Sequence, residues 1–332
     1  MQVGFTSRTW VRSIALAATA ACATGIATGA RAASADDYPN KPLRLITGFL
    51  PGGVSDAIAR IVGTQLGFRL NERVVIDGRP GAGGLLSMEL AAKATPDGYT
   101  LFLAQPIVSL AVVTKRVNYD AVKAFAPISL VGSSQTLVAV NPQLPITTVK
   151  DLIDAARAKP GSYNYGSSGH GGPNHLAAEL FQYMTGTKLV HVPYKGAGAA
   201  IPATISGEVP LTFTPFLAGL PHARAGRLRP LGVSSPKRVR AAPEIPAIAE
   251  LVPGFEAVSW FGFVVPAATP QRIVTRLNTE LVKVMEMPEV RDQLSNQGVE
   301  PDFSTPARFL SVMQTDVERW TKIVRETGIK ID

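Results

Sequence analysis

Three short stretches gather the residue types that hold anions, and each falls where a strand should hand over to a helix. The first is Gly48-Phe49-Leu50-Pro51-Gly52-Gly53-Val54-Ser55-Asp56. Gly52 and Gly53 let the backbone turn tightly and leave amides open to a ligand. The helix that follows adds unpaired N–H groups and the positive end of its dipole. Such a site favours a carboxylate or a phosphate. Ser55 can cap the helix or donate its hydroxyl to the ligand, and Asp56 is expected to support nearby amides. Phe49 and Leu50 would add apolar surface beside the cradle. The same run also reads as a turn that needs only small residues.

The second stretch is Gly166-Ser167-Ser168-Gly169-His170-Gly171-Gly172-Pro173-Asn174-His175. It pairs two serines with the open amides of Gly169 and Gly171 ahead of a helix carrying Leu176, Leu180 and Met184 on one face. His175, in the first turns of that helix, reads either as a ligand contact or as a structural histidine. The third stretch is His191-Val192-Pro193-Tyr194-Lys195-Gly196-Ala197-Gly198. There a strand ends in an aromatic ring and a cation just before another helix. Tyr194 would offer a wall or a hydroxyl donor, and Lys195 a charge or simply a solvated side chain.

Other chemistries find little support. His170, His175, His191 and His222 form no His-Glu-x-x-His pattern, and Tyr165 to Gly169 reads Tyr-Gly-Ser-Ser-Gly rather than a Gly-x-Ser-x-Gly elbow. The Gly81-x-Gly83-Gly84 turn lacks dinucleotide spacing and a following acid. No metal or cofactor is expected.

These loops need a frame. Leu43–Thr47, Arg73–Ile76 and Tyr99–Ala104 read as strands, with helices over 55–68 and from Gly81 to about Ala94. Two strand-helix-strand units in a row predict a parallel sheet covered by helices, hence an α/β fold. Further strands are expected at 128–131, 136–140, 163–166, 188–192, 209–213 and 228–233. The helices between them cover 151–158 (capped by Thr147), 172–184, 198–206 and 216–225. After the strand Trp260–Val265 the chain turns helical, near 270–286, 288–296 and 305–327. A helical tail packing back on the first unit would give two lobes crossed by two segments, near 135–140 and 255–260. A cleft would lie between them, at the carboxyl ends of the strands.

Residues 1–35 read as a secretory signal. Arg8 and Arg12 form a basic start, Ser13 to Gly29 an alanine-rich apolar stretch, and Ala33-Ser34-Ala35 a small-x-small cleavage site. The apolar stretch falls short of the roughly 18–20 residues of a spanning helix. Cys22, the single cysteine, lacks the leucine of a lipoprotein signal three places earlier. Cleavage at Ala35-Asp36 leaves a cysteine-free chain in the periplasm, with neither disulfide nor thiol nucleophile. The whole chain carries 33 basic and 25 acidic residues, +8; losing Arg8, Arg12 and Arg31 brings it to +5. No basic run interleaves with aromatics, so nucleic acid is a poor partner. The mild positive balance helps steer small anions.

In order and spacing, several motifs together resemble the tripartite tricarboxylate transporter receptors, the Bug family of periplasmic solute receptors. They are Pro51-Gly52-Gly53 with Asp56 and Arg60; Arg79-Pro80-Gly81-Ala82-Gly83-Gly84; Pro96-Asp97-Gly98-Tyr99-Thr100; Ser167-Ser168-Gly169 with His175-Leu176; and His191-Val192-Pro193-Tyr194-Lys195-Gly196. The resemblance runs from residue 38 to the helical tail. It implies a two-lobed, type II-like periplasmic binding fold (a Venus flytrap). One lobe would comprise 36–137 and 258–332, the other 138–257. It implies a monomer that closes on a small organic acid, a di- or tricarboxylate or an aromatic carboxylate, and delivers it to transporter membrane subunits. By matching position, the Phe49–Ser55 and Ser167–Gly172 loops would hold the ligand and Pro193–Gly198 would line the second lobe. The family often carries an acid where this chain has Thr214, and another near Ala203. Thr214 keeps a hydroxyl but no charge, which favours a carboxylate lacking an amino group. Two other readings stay open. A receptor could feed a membrane signalling protein, or an exported serine hydrolase could use Ser168 and His175, though it lacks an evident third group.

Overall fold

A computed structural model describes Met1 and residues 38–48, 54–169 and 172–327. The chain divides into Met1–Tyr38 and Pro39–Asp332, and all that follows concerns the second unit. Apart from Met1, the proposed signal segment lies outside the described residues.

Strand β1 (Leu43–Thr47) is buried at four of its five positions, as a strand covered on both faces should be. It pairs in parallel with β2 (Val74–Gly78) and β3 (Thr100–Ala104). Helix α1 (Val54–Leu70) links β1 to β2, and α2 (Leu85–Ala92) links β2 to β3. Helix α3 (Ile107–Val113), which the sequence pattern did not suggest, follows β3.

The next strand is longer than the pattern predicted. Instead of separate strands at 128–131 and 136–140, one strand, β4, runs from Phe125 to Val140. The non-alternating Gly132-Ser133-Ser134 hides its continuity. Its register slips near Pro127 and again near Gly132, yet it keeps one antiparallel partner, β9 (Val258–Pro266), from Phe125 to Gln135. From Thr136 to Val140 the same strand pairs instead with β7 (Leu211–Pro215) and, from Leu137, with β8 (Arg229–Val233). β5 (Asn164–Ser167) joins that second set, parallel to β7 and to β6 (Val190–Pro193). Strand order is β2-β1-β3-β9-β4-β7-β5-β6, with β8 also on β4.

Helices α4 (Val149–Ala158), α5 (Pro173–Thr185), α6 (Ala197–Ser206) and α7 (Phe216–Arg224) cover the second set. The cap of α4 is Thr148 rather than Thr147: its side chain accepts from the Asp151 amide, and Asp151 accepts back from the Thr148 amide. Alternate residues of β4 serve two cores. Val138 and Val140 face a cluster with Tyr165, Phe181 and Phe213, while Leu137 and Ala139 face Ile201, Phe216 and Leu220.

Helices α8 (Gln271–Met285), α9 (Pro288–Asn296) and α10 (Pro306–Thr327) close the chain. Phe309, Met313, Asp316, Trp320 and Ile323 are buried at the three- and four-residue spacing of one helical face. Phe309 and Met313 join the first core, with Ile46, Phe102 and Trp260. Trp320 and Ile323 join the core of the second strand set. Between them, Asp316 accepts hydrogen bonds from both Trp260 and Trp320 Nε1, each at 3.1 Å. Burial pushes its carboxyl above the usual range, partly offset by these indoles and Arg319. No described helix is long and apolar enough to cross a membrane.

Candidate functional site

Two groups of predicted residues stand at the carboxyl ends of strands. The first lies between β1 and α1. Ser55 and Asp56 are buried in the first turn of α1, and Asp56 Oδ2 accepts from Arg60 Nε at 3.0 Å. Phe49, Leu50, Gly52 and Gly53 lie outside the described residues, as does the apolar contribution expected of Phe49. The start of this loop is crowded. A Cβ on Gly48 would stand 2.7 Å from Ser87 Oγ and 3.1 Å from Gly84 Cα. Ser87 in turn donates to the Gly84 carbonyl at 2.6 Å. Gly48 therefore packs against the second glycine turn, where Gly81 and Gly84 take positive φ.

The second group joins the other two predicted loops. At the end of β5, the Ser167 carbonyl accepts from the Tyr194 amide at 3.1 Å, and the Ser168 carbonyl from the Gly196 amide at 3.2 Å. Gly196 opens α6 with φ +94°. A Cβ on Gly166 would meet the Tyr194 ring at 3.2 Å, so glycine lets β5 and the β6 loop approach. The N-termini of α5 and α6 thus start from loops hydrogen-bonded to each other; α5 opens on Pro173, which has no N–H, and in α6 the Ala199 amide turns back to the Gly196 carbonyl at 3.3 Å.

Side chains brace this pair from below. Ser168 Oγ donates to Asn174 Oδ1 at 3.1 Å, and Asn174 Nδ2 donates to Thr136 Oγ1 at 3.0 Å. The Thr136 amide donates to Ser234 Oγ at 2.8 Å, whose hydroxyl reaches the Ala257 carbonyl at 2.7 Å. This chain runs from the loop to both segments that connect the two strand sets. Ser167 Oγ lies 2.6 Å from His191 Nε2. His191 stacks on His175 at 4.1 Å and on Tyr165 at 4.9 Å between centroids. His175 Nε2 faces Glu179 Oε1 at 3.5 Å, and Tyr165 donates to the same oxygen at 3.0 Å. Burial opposes the charge on Glu179, yet hydrogen bonds from His175, Tyr165 and Gln182 hold its carboxyl below the usual range.

The remaining predicted residues vary in placement. His175 is buried in the ring stack. Tyr194 spends its hydroxyl on Glu208 Oε1 at 2.7 Å, and burial together with that carboxylate pushes it up to about 12. Pro193 and Lys195 are exposed. Thr214, the last residue but one of β7, is fully buried, in register with Leu137 and close to Gly219 of α7, its Oγ1 without a hydrogen-bond partner among the described residues. Gly169, with φ +132°, is described; Gly171 and His170 are not. Sequence reasoning named Asn174 and His191 within their stretches without giving either a role, and it missed Thr136 and Glu179. Asn174 carried a signal as a polar side chain just behind a proline at a helix start, and His191 as the first residue of its stretch. Among the described residues, no group of three or more His, Cys, Asp or Glu gathers as a metal site.

The sequence profile described as "Tripartite tricarboxylate transporter family receptor" (TctC) matches residues 58–329. BugT of Bordetella pertussis is 35% identical over 312 residues, covering 92% of this chain and 96% of that protein. A UPF0065 protein of Cupriavidus necator is 34% identical over 314 residues, covering 94% and 95%. Among solved structures, one described as a periplasmic transporter superposes with a TM-score of 0.74 at 35% identity, covering 89% of this chain and 100% of that one. R. palustris Rpa4515 with adipate gives 0.75 at 34% identity, covering 88% and 99%. The fold is the two-lobed, type II-like fold of periplasmic binding proteins.

Proposed function

The chain belongs to the tripartite tricarboxylate transporter receptor family, and from that premise we propose that it captures a small organic carboxylate between two lobes and passes it to membrane subunits of a tripartite transporter. The observation that carries this reading is the pinned pair of loops, Ser167–Gly169 and Tyr194–Gly196. They start two helices from one place, and the positive ends of helix dipoles favour an anion. The adipate held by a relative is an acid of the size and charge such amides would suit. We assign one lobe to 36–137 with 258–332 and the other to 138–257. The partner switch of β4 and the start of β9 at Val258 support those boundaries. Cleavage at Ala35-Asp36 and release into the periplasm complete the proposal.

Capture needs no bond chemistry. The carboxylate enters the open cleft, amides and hydroxyls from both lobes engage it, and hinge closure presents the closed form to the membrane partner. The contacts do not favour a hydrolase: Ser168 donates to Asn174, His175 faces Glu179, and Ser167, which does meet a histidine, is fully buried. The reading is tested by thermal shift and calorimetry on the mature protein with adipate, malate, an aromatic acid and a neutral sugar. An acid at about 100 times its Kd should add about 2.7 kcal/mol of apparent stability. Stabilisation by the sugar with none by any acid would overturn the assignment.

A further inference from the structure

The receptor reading leaves one buried cluster without a task. Directly beneath the loop that ends β5, two imidazoles stack at 4.1 Å with their planes 14° apart. One of them, His191, lies 2.6 Å from the Ser167 hydroxyl through Nε2. Ser167 Oγ also accepts from the Gly169 amide and reaches the Gly169 carbonyl, both at 3.2 Å. The serine therefore has two proton arrangements. With His191 Nε2 bare, the hydroxyl donates to the ring. With Nε2 protonated, the ring donates and the hydroxyl turns to the Gly169 carbonyl. Which arrangement holds is decided by the proton on His191, and it is felt in the loop.

The groups facing this pair set the sign. From β5 come Tyr165 and Ser167; from α5 come His175 and Glu179; α6 carries no titratable side chain. Burial, with Glu179 beside it, pushes the Tyr165 hydroxyl up, so Tyr165 stays neutral. The Glu179 carboxyl is ionised near neutrality. With both imidazoles neutral the cluster carries one negative charge under a loop that receives an anion. One proton on the stack cancels it. A second is opposed, because two charged rings in contact repel each other.

Resting on the carboxylate-receptor reading, we infer that His191 is a positioning residue for the ligand loop, and that the His175–His191 stack takes up a proton as the receptor binds its acid. By linkage, a ligand that draws in a proton binds more tightly where protons are plentiful. Adipate affinity should rise about threefold to tenfold between about pH 8 and about pH 6, with net proton uptake seen by calorimetry in buffers of different ionisation enthalpy. His191→Gln keeps a polar side chain under Ser167 and should flatten the profile.

A second measurement needs no ligand. In the whole mature protein, the Ser168 and Gly169 amide resonances should titrate together with the His191 ring. In Ser167→Ala the ring should still titrate while those amides no longer follow it. Adipate binding with an affinity independent of pH, or loop amides that ignore the ring in the unmodified protein, overturns the inference and leaves the receptor reading intact. Failure of every acid to bind overturns the receptor reading instead, and the amide titration still decides whether His191 positions the loop. If His191→Gln does not fold, Ser167→Ala and the amide titration carry the test alone.

Discussion

Asn174 does more for the site than any residue chosen for its chemistry. It is buried, its carbonyl holds Ser168, and its amino group holds Thr136 at the point where β4 changes partners. Replacing it with alanine takes the partner from the buried Thr136 hydroxyl and from the half-buried Ser168 hydroxyl at once. The expected cost is about 1–3 kcal/mol of stability, together with weaker acid binding, because Ser168 loses the contact that fixes it. Denaturant unfolding and calorimetry with adipate measure the two effects separately. An Asn174→Ala protein that loses stability but binds adipate unchanged would show that the brace serves the fold alone. Position 214 shows what type alone conveys. A threonine near a strand end reads as a ligand contact; its side chain lies buried alongside Leu137 and Gly219, with Oγ1 unpartnered among the described residues.

At the level of elements, the tightest joint is between β9 and α10. A Cβ on Gly262 would stand 2.3 Å from the Phe309 ring and 2.8 Å from the Ser129 carbonyl. Phe309 also meets Trp260 edge to face at 5.5 Å. Gly262→Ala should therefore cost about 1–3 kcal/mol, read as a lower denaturant midpoint. Most elements here were legible because their apolar residues keep a period. The stripe of α8 and the parallel strands of the first set follow directly from spacing. What escaped was set by long-range partners. β4 reads as two strands because Gly132 and two serines interrupt it, and only pairing with β9 makes it one. The three loops announced themselves by glycine and their place before helices. That two of them are hydrogen-bonded together, over a stack of rings from α5, β5 and β6, depends on strand order, which no local pattern carries.

For the whole molecule, α10 decides how independent the two strand sets can be. Its first half packs in one core and Trp320 and Ile323 in the other, while Tyr183 of α5 donates to Glu326 near its end. The protein should melt in a single calorimetric transition, and Ile323→Ala should lower it by about 2–4 kcal/mol without splitting it. The position of β9 has a different consequence, in time rather than space. β3 and β4 follow each other in sequence, yet β9 lies between them and is synthesised only after β5 through β8. A chain emerging from its N-terminus therefore carries an unfinished sheet with β3 as an open edge. The strands from Thr136 to Val233 can meanwhile pair with one another. Pairings of such sequence separation form late, and an open edge invites wrong partners until they do. The strand set that contains β1 and β3 is thus the last to mature, and any factor that guards the nascent chain has β3 to guard.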